Sequence, residues 1–312
     1  MTSETAFIDL LRRLPSHPAA RGLRDDAAVF GIGGRNLVFT QDAMIEGVHF
    51  LADDPPESVG WKLAAVNLSD LAAKAARPVA AMMIYSLGEE EWDKRFAEGL
   101  GEALETYACP LIGGDSVRGP AGSARQFSLT AIGEADMAPD RAGASVGDEV
   151  WVSGTVGDAG LGLLIARGEI NGADRLVEAY RRPRPQLALG RKLAPLVSAM
   201  MDISDGLLID ARRMAAASKV AITIESIDIP LSPEFTAVRG DTREASIAAA
   251  TMGDDYGLLF TAPARSRKFV ESAAEETGVA IRCVGLVEAG SGIALQEGGR
   301  PLELPSRLGW EF

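Results

Sequence analysis

Residues 61–78 read WKLAAVNLSDLAAKAARP, and this stretch decides how the rest of the chain is understood. Trp61, Ala64, Ala65, Leu68, Leu71, Ala72 and Ala75 recur at helical spacing and form one apolar seam. At about 100° per residue, Asp70 lies roughly half a turn from that seam. Leu63 and Val66 share its side, so that face is not simply solvated. Further carboxylates stand in similar apolar or glycine-rich settings at Asp25, Asp26, Asp42, Asp115, Asp202 and Asp205. Gathering them costs mutual repulsion and desolvation unless a cation compensates. The expectation is a magnesium–nucleotide site assembled from the whole chain.

Composition sets the outer limits. With 312 residues and 47% hydrophobic content, the chain is long enough for two domains, each with a core. Its 31 Lys+Arg against 44 Asp+Glu give a net charge of −13, which argues against sequence-independent nucleic-acid binding. Cys109 and Cys283 are the only cysteines, too few for a disulfide framework or zinc cluster, and are read as reduced, packed thiols. The N-terminus reads as a short amphipathic helix ended by Pro15, without the apolar region of a signal peptide. No stretch approaches the ~20 apolar residues that span a bilayer, so the expected location is the cytoplasm, with no membrane partner.

In chain order, Ala27–Phe30 and Asn36–Thr40 read as strands around a turn at Gly31–Gly34. A Pro55-Pro56 break precedes the opening helix, which is expected to run to Pro78. Val79–Leu87 is an apolar strand, Glu89–Tyr107 a helix with an acidic first turn, and Pro110–Ile112 a short strand entering Gly113-Gly114-Asp115. Gln126–Gly133 alternates like a half-buried strand. Pro, Gly, Ala and Asp then cluster at Asp136–Gly147, where a domain boundary is expected. Beyond it, strands are expected at 149–153, 200–203, 221–224, 257–261 and 280–287. Helices are expected at 158–167, 186–198, 207–217 and 267–277. Mixed strands and helices throughout indicate α/β or α+β architecture in two domains.

Three segments carry chemistry. In MMDISDGLLIDARRM, residues 200–214, a strand gives way to Asp202, Ser204, Asp205 and Gly206 where a helix begins; these are helix caps or hard oxygen ligands for magnesium. In LIGGDSVRG, residues 111–119, paired glycines allow close approach to a phosphate and Asp115 adds a carboxylate. In LRDDAAVF, residues 23–30, adjacent Asp residues precede a strand. No P-loop and no protein-kinase signature set is present. Only His17 and His49 occur, neither in a triad pattern, which argues against serine or cysteine hydrolysis, and His49 is the one placed to touch substrate.

The ordered set RDDAAVF, QDAMIEGVHF, VGWKLAAVNLSDLAAKAARP, LIGGDS, RAGASVGDEVWVSG, MDISDGL, GDDYGLLF and GWEF resembles the thiamine-monophosphate kinase family. That family shares a superfamily with aminoimidazole ribonucleotide synthetase and selenophosphate synthetase. The resemblance implies an N-terminal α/β domain, 1–140, that binds ATP and magnesium and pairs with its mate in a homodimer sheet. It also implies a C-terminal α/β domain, 141–312. The implied reaction transfers the γ-phosphoryl group of ATP to thiamine monophosphate, using several Mg2+ ions.

By position, Asp26, Asp42, Asp70, Asp115, Asp202 and Asp205 would be magnesium ligands, with Thr40 and Gln41 at further metal-contacting positions. Gly114, Arg141 and Ser204 would hold ATP; His49, Asp254 and Trp310 would contact substrate. Asp205 and Arg141 would carry catalysis, Arg141 by balancing charge on the transferring group. Arg24 replaces a usual Gly, Gln41 a usual hydroxyl residue, Asp254 a usual Glu, and Gly257 another frequent Glu. The acceptor phosphate is ionised at neutral pH, so neither a general base nor a covalent intermediate is required. Two alternatives remain: an ATP-using synthetase of the same superfamily, or a non-catalytic nucleotide or thiamine-diphosphate sensor. The expected N- or C-terminal Cys of selenide- or carbamoyl-handling members is absent.

Overall fold

The computed structural model describes residues 4–14, 17–120 and 122–311; Pro15, expected to end the first helix, lies outside them. The N-terminal half runs α1 (Glu4–Leu11), β1 (Ala28–Ile32), β2 (Arg35–Ile45), α2 (Pro56–Ala73), β3 (Arg77–Ser86), α3 (Glu90–Thr106), β4 (Leu111–Val117) and β5 (Gln126–Ala135). The C-terminal half begins with β6 (Asp148–Ser153), α4 (Asp158–Ala166), α5 (Asp174–Arg181), α6 (Leu187–Leu193), β7 (Ala199–Asp202), α7 (Leu207–Ser218) and β8 (Ala221–Glu225). It ends with α8 (Pro233–Arg239), α9 (Arg243–Ala250), β9 (Leu258–Pro263), α10 (Arg267–Thr277), β10 (Ile281–Glu288), β11 (Gly292–Glu297) and β12 (Arg300–Leu302).

Two sheets result. The first has the order β1-β2-β5-β3-β4, antiparallel except for the β3–β4 pair. The second has the order β12-β11-β8-β10-β6-β9-β7, antiparallel except for β11–β8. Strand alternation sends Trp151, Met200 and Phe260 into one core, while Val150, Val152, Met201 and Leu259 enter another. The β6-β9-β7 end of the second sheet is therefore buried on both faces. No helix among the described residues is long and apolar enough to cross a membrane.

Helix α2 joins the halves. It packs on β2, β5 and α3 on one side and on α6 and β7 on the other. Every residue from Ser58 to Ala73 is buried, polar ones included, so instead of burying the single seam expected from the sequence the helix is covered on every side. At its contact with α6 only glycine fits: a Cβ on Gly190 would sit 2.1 Å from the Ala72 carbonyl oxygen. The expectation that α2 runs to Pro78 is corrected. The helix ends at Ala73, Ala75 turns left-handed at φ +53°, and Arg77-Pro78 already belong to β3. Proline disfavours helical backbone in the residue before it, so Arg77 could not have continued the helix, but the exit is already made at Lys74 and Ala75.

One surface of the first sheet stays uncovered. All seven residues of the edge strand β4 are exposed, and Leu111, Ile112 and Val117 lie beside exposed Val79, Met82 and Ile84 of β3.

Candidate active site between the two sheets

The site is built along α2. Near its C-terminal end, Asp70 meets Asp26 from the loop before β1 and Asp202 from the end of β7. One carboxylate oxygen from each lies within 4.8 Å of the other two. Thr40 and Asp42 point toward them from one face of β2. Thr40 Oγ1 donates to Asp70 Oδ2, and the Asp42 backbone N–H donates to Asn67 Oδ1 at 2.9 Å. Ser69 Oγ donates to Asp202 Oδ2 at 2.7 Å.

Charge in this cluster is sorted unevenly. Burial would lift the Asp26 carboxyl, but the Arg141 and Lys74 cations outweigh it and hold it at about 2. Burial, reinforced by Asp205 and Asp26, pushes Asp42 up to about 6. Burial and then the neighbouring Asp42, Asp202 and Asp26 raise Asp70 well above the usual carboxylate range. Burial and then Asp26 raise Asp202 likewise, with the Ser69 hydroxyl opposing. No lysine or arginine among the described residues pairs with Asp42, Asp70 or Asp202.

Lys74, at the C-cap of α2, is fully buried. Its Nζ donates to Asp25 Oδ1 at 2.5 Å, Met200 O at 3.0 Å and Pro139 O at 3.2 Å, and lies 2.8 Å from Asp26 Oδ2. Arg21 also pairs with Asp25, and Arg141 with Asp26. The loop before β1 is thus neutralised by the chain itself, while the Asp42–Asp70–Asp202 side is not.

The loop that carries Ser204 and Asp205 is shaped by Asp210. This fully buried carboxylate accepts the backbone N–H groups of Ser204, Asp205 and Gly206 at 3.2, 3.1 and 3.3 Å. Burial pushes it up to about 6, against the opposing charge of Arg213. Arg213 bridges Asp210 and Asp205, leaving Asp205 partly exposed beside the cluster. The Trp310 N–H donates to the Asp205 carbonyl at 2.9 Å, which docks the C-terminal tail on this loop. Trp310 is 46% exposed, with the Arg307 guanidinium 4.9 Å from its ring centroid.

Toward the N-terminal end of α2, Lys62 is 2% exposed and donates to Asp254 Oδ2 at 2.7 Å and to the His49 carbonyl at 3.0 Å. Its Nζ stands 4.1 Å from the Tyr180 ring centroid. His49 Nδ1 accepts the Ile45 N–H at 3.1 Å, and burial lowers its pKa. Lys62 and Lys74 are functional candidates that sequence reasoning missed. Their signal was two lysines inside an otherwise apolar helix.

Three expected residues do not join the cluster. Strand alternation puts Gln41 on the opposite face from Thr40 and Asp42, exposed, with Nε2 donating to Ser128 Oγ at 3.0 Å. Asp42 pairs across to Leu129, Leu129 to Met83, and Met83 to Gly114. Gly114 and Asp115 are therefore three strands from Asp42, roughly 14 Å at the spacing of ~4.8 Å. Gly114 is required where it stands: at φ +150°, a Cβ would lie 1.8 Å from the Met83 carbonyl oxygen.

Known proteins match both halves. Residues 24–135 match the family of AIR synthase related protein N-terminal domains, and 145–297 the corresponding C-terminal domains. A thiamine-monophosphate kinase from Caulobacter vibrioides is 38% identical, with the alignment covering 96% of this chain and 88% of the relative. This chain belongs to the thiamine-monophosphate kinase family. Another thiamine-monophosphate kinase, from Aquifex aeolicus, is 34% identical over 93% of each chain. Among solved structures, "AaThiL complexed with AMPPCP and TMP" superposes with a TM-score of 0.85 at 30% identity, covering 99% of this chain and 96% of that one. The two-domain AIR synthase-like fold expected from the motifs is the fold observed.

Proposed function

We propose that this chain transfers the γ-phosphoryl group of ATP to thiamine monophosphate, giving thiamine diphosphate and ADP. The observation that carries this is kinship over nearly the whole chain with thiamine-monophosphate kinases, including a close structural match to one complexed with AMPPCP and TMP.

The acidic cluster suits magnesium. Its donors are all hard oxygens, and on its Asp42–Asp70–Asp202 side no cation of the chain balances the carboxyl groups. Asp26, Asp42, Asp70 and Asp202, with Asp205 and the Thr40 hydroxyl alongside, would hold the ions. Magnesium bound there would neutralise the triphosphate and favour its approach to an anionic acceptor. The chain's own part is to position both partners. Ser204 lies on the loop organised by Asp210, and Arg141, paired with Asp26, would supply positive charge to the transferring group. His49, Asp254 and Trp310 would receive the thiamine end. Gln41 serves in this reading as a surface residue of β2.

The same proposal divides the chain at 140/141 and places it in the cytoplasm. It also pairs two copies through β3 and β4, whose exposed apolar strip would otherwise be an unprotected sheet edge. Gly114 and Asp115 sit on that strip, so pairing would offer them to a site shared with the second copy. Purified protein incubated with ATP, Mg2+ and thiamine monophosphate should form thiamine diphosphate, followed by chromatography. Absence of product across metal conditions would favour the two alternatives, another ATP-using synthetase or a sensor.

A further inference from the structure

Lys62 has no role in the site as described so far, yet its placement is costly. Burying an ammonium group is tolerated only with close partners, and Lys62 reaches from the N-terminal half to Asp254 in the C-terminal half to find one. Asp254 is as strongly constrained. Its second oxygen accepts the Tyr256 hydroxyl at 3.1 Å, and its N–H donates to the Ser204 carbonyl at 2.7 Å. Both Asp254 and Tyr256 have left-handed backbone, at φ +69° and +51°. Such backbone is unfavourable for non-glycine residues and persists where surrounding structure enforces it. The carboxylate is thus held in one pose, with its charge already balanced.

Distance along the helix adds a second constraint. Lys62 lies eight residues before Asp70, about 12 Å at 1.5 Å per residue. An extended thiamine monophosphate with its phosphate near Asp70 would bring its rings toward Lys62, His49 and Asp254.

We propose that Lys62 is a positioning residue for specificity: it neutralises and aims Asp254, so that this carboxylate reads the uncharged amino-bearing ring of the acceptor rather than pairing with its cationic ring. This rests on thiamine monophosphate being the acceptor. Lys62 thereby also ties recognition of the acceptor to the joint between the two halves, because its partner sits one residue pair away from the Ser204–Asp205 loop through the Asp254–Ser204 hydrogen bond.

The test is calorimetric binding of thiamine monophosphate, and separately of a non-hydrolysable ATP analogue with Mg2+, to wild type, Lys62→Met, Asp254→Asn and the double variant. Each single variant should raise the Kd for thiamine monophosphate about tenfold, within the range for contacting residues, and move the nucleotide Kd less than about twofold. Because Lys62 acts through Asp254, the double variant should bind no more than about twofold more weakly than Asp254→Asn. If Lys62→Met does not fold, the double variant, which leaves no lone buried charge, decides the question against Asp254→Asn alone. Losses that multiply in the double variant, or equal losses for nucleotide and acceptor, would overturn the proposal. So would a wild type that does not bind thiamine monophosphate. A wild type that binds it without turnover would sink the kinase reading and leave this one standing on its binding constants.

Discussion

The two ends of helix α2 face the same problem and solve it differently. At the Lys62 end, one buried lysine meets one carboxylate and a carbonyl, the Tyr256 hydroxyl donates to the carboxylate's other oxygen, and the charges cancel. At the Asp70 end, Lys74 and Arg141 satisfy Asp25 and Asp26, but Asp42, Asp70 and Asp202 remain facing one another. A balanced cluster is finished by the chain itself. An unbalanced one, in a fold that buries it, signals a cation supplied from outside.

The comparison breaks most visibly if Lys74 is removed. Lys74→Met leaves Asp25 with Arg21 alone and Asp26 with Arg141 alone, making the whole end resemble its unbalanced side. Losing one partner of a buried pair costs about 3–5 kcal/mol, read as a lower urea midpoint, and added Mg2+ should recover part of it. A midpoint unchanged from wild type would mean that Lys74 balances nothing.

Asp70→Asn attacks the unbalanced side instead. A neutral amide is a poorer magnesium ligand, so turnover should fall roughly a hundredfold, in line with the several kcal/mol a bound metal supplies to the transition state. Stability without metal should hold or rise, because a buried carboxyl that ionises only against its Asp neighbours is replaced by a neutral amide. A large loss of metal-free stability with activity retained would assign Asp70 to packing.

Acidity sharpens the same contrast. Asp42 and Asp210 are both pushed up to about 6 by burial, above their unfolded values, so the folded chain keeps protons that the unfolded chain releases. Metal-free stability should therefore fall as pH rises from about 4 to 6, by on the order of 2 kcal/mol or more. The lowered Asp26 acts in the opposite sense, but below that window. Saturating Mg2+ should flatten the Asp42 contribution. Urea midpoints that rise over this interval would contradict the charge assignment.

The smallest effect belongs to Trp310, which is exposed rather than packed in a core, with its ring beside Arg307 and its backbone N–H on the Asp205 carbonyl. Trp310→Ala should raise the KM for thiamine monophosphate several-fold, as loss of a cation–aromatic contact of roughly 0.5–2 kcal/mol would. The KM for ATP should stay nearly constant. Equal losses for both substrates, with a lower Tm, would make it a packing residue.

Much of this was legible in the sequence because strand-to-turn junctions rich in Asp and Gly are local signals. Asp26, Asp42, Asp70 and Asp202 could be named before their convergence was visible. What stayed hidden depends on tertiary neighbours. A lysine in a helix reads as solvated, and only packing on both sides of α2 reveals that Lys62 and Lys74 are buried. Asp210 reads as an ordinary first-turn acid until its carboxylate is found gathering three backbone N–H groups. Strands β11 and β12 and helices α8 and α9 are short and weakly patterned, and their places are fixed by pairing with elements far away in sequence, as β11 pairs with β8. Gly114 and Asp115 could be recognised as a motif, but only the sheet order puts them three strands from Asp42.

The central claim, that the Asp70 end of α2 is completed by an external divalent cation, is tested most directly by magnesium calorimetry on the nucleotide-free protein. Titration at pH 6 in two buffers of different ionisation enthalpy would count the protons exchanged. Because Asp42, Asp70 and Asp202 are held above the usual carboxylate range, binding should release protons as these groups ionise around the ion. Asp70→Asn should weaken the binding and reduce the release. Saturable binding with buffer-dependent heat is the predicted result; no binding, or binding without proton release and indifferent to Asp70→Asn, would contradict it.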